Sequence, residues 1–223
     1  MPPRHRPIHD SAPLRRLIGA QVRALAPRLE RCFGTRALLL GAGSAAVLPA
    51  LPSLAHRTTL QVVGERYAGD LHAALDEPLP FVDEAFELVF VCHALEVVPQ
   101  APAVLREAIR VLAPGGTLAV AGVHPLSGWA PWFCWHARGS GARLQAPRSL
   151  ARELRHAGLE VEAWERNGAL LPGMQAPAAA FGGGYALVAR KRQRKATLLR
   201  LRPAPVRMAA GARLSPGTRR SAI

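Results

Sequence analysis

The chain has 223 residues, 49% of them apolar, with 29 basic against 15 acidic side chains and a formal charge of +14 at neutral pH. That length fits one α/β domain with extensions, and the lack of any uncharged apolar run of 18 residues excludes a helical membrane span. The basic start MPPRHRPIHDSAPLRRLIG has no continuous apolar core, and Cys32, Cys92 and Cys134 are odd in number and far apart, which argues against a secretory signal, a disulfide framework and a cysteine zinc site and predicts a cytoplasmic protein.

The charge is unevenly spread. From Arg190 to the end there are eleven Lys or Arg residues and no acid, so positions 1–189 hold 18 basic against 15 acidic residues. The expected organisation is a flexible N-terminus over 1–12, one folded domain over 13–190 and a basic tail over 191–223. That tail mixes Pro, Gly and Arg with little periodicity, so it reads as a solvated appendage or as an arm for nucleic acid or an anionic surface.

In chain order, Pro13–Cys32 has helical spacing, with Leu14, Leu17, Ile18, Val22, Leu25 and Leu29 on one side. Pro27 predicts a kink or a break into two helices. Arg36–Leu40 is a short strand running into Gly41, Ala42, Gly43, Ser44 and Ala45. Two glycines after a strand let the backbone turn sharply and leave amides free for a ligand, or form a tight structural turn. His56–Val63 reads as a second strand. Glu65 follows Ala45 by twenty residues, the distance at which a dinucleotide-type fold places its ribose-binding acid; a plain surface glutamate fits as well. Only 13 residues separate Glu65 from Leu79, too few for a full crossover helix and a third strand, so this region must be abbreviated.

The stretch LPFVDEAFELVFVCHALEVVPQAPAVLREAIRVLAPGGTLAVAGV, Leu79–Val123, reads as strand, loop, helix, turn, strand. Phe86–Cys92 is apolar enough for a strand covered on both faces. Ala103–Leu112 is an amphipathic helix with Arg106, Glu107 and Arg110 facing away. Pro114, Gly115 and Gly116 make a turn before the strand Thr117–Val123. Cys92, His93 and Glu96 follow a strand end, where open α/β sheets bind ligands. His93 is a candidate general base, or a ring that packs over a cofactor or caps a helix. Past Val123, HPLSGWAPWFCWH places Trp129, Trp132 and Trp135 at helical spacing, as packing or as cover for an apolar acceptor. Pro147–Ala157 is a further helix, LEVEAWER a strand, 167–184 a long loop and Tyr185–Ala189 a last strand.

LPFVDEAFELVFVCHALEVV followed by VLREAIRVLAPGGTLAV resembles the central signature of class I S-adenosylmethionine-dependent methyltransferases, and most of all the type 11 methyltransferase domain. The resemblance implies a Rossmann-like, three-layer, doubly wound and mostly parallel sheet, with an antiparallel last strand and here a shortened second and third strand region. It also implies S-adenosyl-L-methionine as cofactor, held by Gly41, Ala42, Gly43, Ala45, Glu65, Asp76, Cys92 and His93, with Asp76 meeting the adenine amino group and Asp70 its fallback. His93 and His124 are the candidates for catalytic proton removal. The chain departs from the family at Leu39, Ala45, Glu87 and His124. Leu39 stands where the family has an acid, and His124 where the related subgroup has Asn.

The activity implied is methyl transfer to a small-molecule acceptor. The alternative is a catalytically degenerate methyltransferase fold that binds partners, with residues 190–223 contacting nucleic acid. A nicotinamide-dependent reductase is a weaker third reading, because neither Tyr67 nor Tyr185 has Lys four residues later, and no phosphate-binding G-x-x-x-x-G-K-[ST] occurs. The eight histidines show no zinc-ligand spacing.

Overall fold

The computed structural model describes residues 8–42, 51, 54–138, 141–174 and 182–193, all within one compact unit, residues 1–193. Gly43, Ala45 and the tail from 194 lie outside them.

Among the described residues, eight strands form one sheet in the order β4-β3-β2-β1-β5-β6-β8-β7. They are β1 (Arg36–Gly41), β2 (His56–Val63), β3 (Arg66–Gly69), β4 (Ala73–Ala74), β5 (Phe86–Cys92), β6 (Leu112–Val123), β7 (Leu159–Asn167) and β8 (Gly184–Lys191). The central strands β2, β1, β5 and β6 pair in parallel, while β3 and β8 run against the other six. The antiparallel last strand is as expected, inserted between β6 and β7.

Alternation along the strands divides two cores. Leu38, Leu40, Val89, Val91, Leu118, Val120 and Leu187 point to one face, where they meet α2 (Ala94–Val97), α3 (Ala101–Val111) and α5 (Pro147–His156). Ala37, Leu39, Leu88, Phe90, Ala119, Ala121 and Val188 point to the other, under α1 (Ala12–Leu29) and α4 (Trp129–His136). Each fully buried large apolar side chain contributes roughly 1.5–3 kcal/mol, so continuous apolar strands are stable only with both faces covered. Leu39, 2% exposed, belongs to the α1 side.

Three local features differ from the sequence expectation. Helix α1 passes through Pro27 unbroken, because Pro27 lies two residues from its end; a lost amide bond there disturbs only the last turn. Glu107 and Arg110 are only partly exposed to solvent. The guanidinium of Arg110 donates to Leu79 O (2.9 Å), Phe81 O (2.8 Å) and Asp83 (2.7 Å), and Glu107 accepts from Leu79 N (2.9 Å), so α3 grips the LPFVD segment. The Pro-Gly-Gly stretch is not a free turn: α3 runs straight into β6, and Ala113–Gly116 bulge out between the pairs Phe86↔Leu112 and Leu88↔Thr117. Gly115 takes φ +77° there, a conformation suited to glycine.

The abbreviated region is a hairpin. After a turn at Gly64–Glu65, β3 returns antiparallel to β2 and two-residue β4 follows, with no crossover helix among the described residues. Strand β2 itself keeps eight residues. Asp70 closes the hairpin, accepting from Thr59 N at 2.7 Å while its own N–H donates to Thr59 O at 3.1 Å.

Candidate active site at the carboxyl edge of the sheet

The ends of β1 and β5 are drawn together. Ala42 N donates to Cys92 O at 3.0 Å, and Gly41 bridges His93. His93 takes the left-handed conformation, φ 56°, and turns its ring inward, where it is 1% exposed. Such a backbone persists in a non-glycine residue only when its surroundings hold it.

Those surroundings are a buried polar cluster. Gln21, fully buried on α1, donates through Nε2 to Gly122 O (2.8 Å) and Tyr185 O (3.1 Å), which aims its Oε1 at His93 Nε2, 2.8 Å away. His93 Nε2 must therefore carry a hydrogen. Its Nδ1 lies 2.8 Å from Glu96 Oε2, so a single proton lies between ring and carboxyl. Glu96 Oε1 accepts from Val123 N. Burial works to raise Glu96, but the adjoining His93 and His9 rings outweigh it and leave the carboxyl below its ordinary value. Burial likewise pushes the Cys92 thiol well up, with the Glu96 charge adding to it. His9, on a 3-10 turn (Ile8–Asp10) where the sequence suggested a flexible terminus, is 2% exposed and packs against His93 and Phe133.

Beyond the cluster the edge opens into a cleft of about 450 Å³ lined by Glu65, Asp76, Leu75, Val98, Pro99 and Gln100, among others. It lies between the β2–β3 turn, the segment after β4 and the loop leading into α3. Gly41 and Ala42, both buried, do not line it.

On the β6 side, His124 is 9% exposed; its Nδ1 accepts from Leu126 N (3.1 Å), so the neutral ring carries its hydrogen on Nε2. Burial, then the charges of Arg166 and Arg148, holds this ring below its ordinary pKa. The tryptophans divide: Trp129 is buried and donates to Ala169 O (2.9 Å), Trp132 is half-buried, and Trp135 is 63% exposed under the Arg138 guanidinium. An open groove of about 480 Å³ runs between Pro125–Gly128, Pro131 and Cys134 of α4, and Leu170.

Glu65 and Asp76 thus meet in one cleft, while Cys92 and His93 stand at the strand ends beside the buried cluster. Glu87 is remote, at the opposite edge, where it accepts from Arg36 N (2.8 Å). The sequence reading overlooked Gln21 and His9. Gln21 did leave a signal, as a polar residue within the buried stripe of α1; His9 left none.

Residues 38–120 match the family model described as a methyltransferase domain. Over that stretch the chain is similar to a methyltransferase domain. Such a domain goes with S-adenosyl-L-methionine as its cofactor. Over 106 residues the chain is 32% identical to a probable phthiotriol/phenolphthiotriol dimycocerosates methyltransferase of Mycobacterium ulcerans (strain Agy99), a match covering 41% of each protein. The chain therefore matches less than half the length of that relative. Among solved structures, the methyltransferase domain is similar to an S-adenosylmethionine-dependent methyltransferase of Thermotoga maritima (18% identity, TM-score 0.53, covering 80% of this chain and 91% of the other). It is also similar to one of Archaeoglobus fulgidus (15% identity, TM-score 0.54, 79% and 94%). At these identities the likeness is one of fold. No helix among the described residues is long and apolar enough to cross a membrane.

Proposed function

We propose that the chain is an S-adenosylmethionine-dependent methyltransferase acting on an apolar small-molecule acceptor. The observation that carries this reading is the cleft in which Glu65 and Asp76 face the apolar Val98 and Pro99. Two carboxylates beside an apolar wall suit a nucleoside: one acid accepts from ribose hydroxyls, the other from an exocyclic amine, and the base lies on the wall. Glu65 and Asp76 are assigned these two roles, and the sequence motif that follows β1, Gly41, Ala42, Gly43 and Ala45, is assigned to the remainder of the ligand. When bound, S-adenosylmethionine supplies an electrophilic methyl group on a sulfonium.

The chain's own residues are left to align the partners and exclude water. His93 has both ring nitrogens engaged inside the fold, so it is assigned to holding the β1 and β5 ends. His124, at the end of β6, is assigned to the acceptor side, where its Nε2 hydrogen can be donated. The groove beside Pro125–Gly128 supports an apolar acceptor, as does the name of the mycobacterial relative, a probable phthiotriol/phenolphthiotriol dimycocerosates methyltransferase.

Calorimetry with S-adenosylhomocysteine tests the reading. The full chain is expected to bind it, and Glu65→Ala and Asp76→Ala each to weaken binding at least about 10-fold, the loss of one charge-assisted hydrogen bond of roughly 1.5–3 kcal/mol. No heat at high micromolar ligand would overturn it.

A second reading, a methyltransferase fold retained for binding, is favoured by Leu39, which is buried in the core where the family has an acid. Under it, the chain gives no heat with S-adenosylhomocysteine yet shifts labelled RNA in a salt-sensitive way through residues 190–223.

A further inference from the structure

The buried cluster has one member whose polar atom is unused. His9 Nε2 has no hydrogen-bond partner, although the residue is 2% exposed, and it points toward Glu96 Oε2 at 4.0 Å. An orphaned imidazole nitrogen in a protein interior carries a desolvation cost of about 1–3 kcal/mol. It therefore calls for a ligand.

We propose that His9 Nε2, His93 Nδ1 and Glu96 Oε2 form a buried site for a divalent transition metal, zinc by its ligand chemistry, which fastens the N-terminal turn to the carboxyl ends of β5 and β6. These atoms all lie within 4.8 Å of one another, with 2.8 Å between His93 and Glu96. Tetrahedral zinc with bonds of about 2.0–2.1 Å sets its ligands about 3.3 Å apart. Small side-chain shifts bring the three donors to that spacing. Two imidazole nitrogens and one carboxylate oxygen are a zinc-type set, and the magnesium and calcium alternatives want oxygen alone.

The supporting contacts are already made. Gln21 Oε1 takes the hydrogen on His93 Nε2, which fixes the tautomer that presents Nδ1 as a ligand. Gln21 is itself fixed by two backbone carbonyls. Val123 N binds the second oxygen of Glu96, leaving Oε2 for the ion. The ion takes the place of the proton between Nδ1 and Oε2, so one proton is released as it binds. All three donors are enclosed and none lines the Glu65–Asp76 cleft, so the metal acts on docking of the N-terminal turn, independently of methyl-donor binding.

The test uses the untagged full chain, stripped with chelator and titrated with zinc chloride alone against a chromophoric competitor. The expected result is about one tightly held ion per chain and a rise in melting temperature. His9→Leu, which keeps an apolar side chain against Phe133, should stay folded and lose both effects. Gln21→Leu should bind about 10–100-fold more weakly, and cobalt should give visible absorption bands of a site with nitrogen and oxygen ligands. Binding well below one ion per chain, or binding and melting shift unchanged in His9→Leu, overturns the proposal.

Discussion

At Gly122 a hydrogen atom is all the polar cluster leaves room for. A methyl group added there would sit 2.7 Å from Glu96 Oε1 and 2.8 Å from the Tyr185 hydroxyl, and Glu96 is held in place by His93 and the Val123 amide. Gly122→Ala is therefore expected to destabilise the fold by about 1–3 kcal/mol, read as a lower urea midpoint with an unchanged slope. The sequence carried half of this cluster. His93 and Glu96 stand at a strand end, where function is expected, and Gln21 interrupts an apolar stripe. What no linear spacing reveals is that Gln21 lies against residues 101 and 164 positions away, or that His9 closes the group. Each depends on the path of α1 across the sheet.

The elements were legible where hydrophobic periodicity is strong. Strands β2 and β5 fall where the apolar runs put them, and α5 ends where Gly158 follows it. The hairpin of β2 and β3 was legible only as a shortage of residues: a count tells that a crossover does not fit, but not what replaces it. Helix α3 misleads for a different reason, because Glu107 and Arg110 look like a solvated face until the LPFVD segment folds over them. The Arg110 hydrogen bonds, with the Leu79 amide adding to them, hold the Glu107 carboxyl below its ordinary range. A depressed carboxyl contributes stability that is present above its unfolded pKa and fades as pH falls through the lower folded value. Glu107→Gln should accordingly cost about 1 kcal/mol at neutral pH, a charged hydrogen bond discounted for partial exposure. The difference from wild type should close in melts taken at progressively acidic pH; a constant difference would show that the interaction is not ionic.

For the molecule as a whole, the two cores make different demands on the three thiols. Cys32 and Cys92 are buried on the α1 side of the sheet, where burial raises both thiols, whereas Cys134 is exposed on α4. Iodoacetamide under native conditions should modify Cys134 alone, and all three should react once the chain is denatured, as mass spectrometry of the intact protein will show. Rapid native labelling of Cys92 would mean that the β1–β5 junction opens readily. The overall architecture was legible because a strand, helix and strand of this composition admit few arrangements. The acceptor was not, since aligning two bound molecules leaves no characteristic pair of catalytic side chains in the chain.

The two outermost strands set how the folded protein treats its own copies. On one flank β4 has only two residues. On the other, β7 carries Glu160 and Glu162 at exposed positions alternating with its inward residues, and has an irregularity between Val161 and Ala163. A stub offers too few free amides and carbonyls to template a neighbour, and a kinked, charged rim repels one. The sheet is thus guarded at both borders against growing from molecule to molecule, and the native state should remain dispersed at concentrations where a long flat apolar border would seed fibrils.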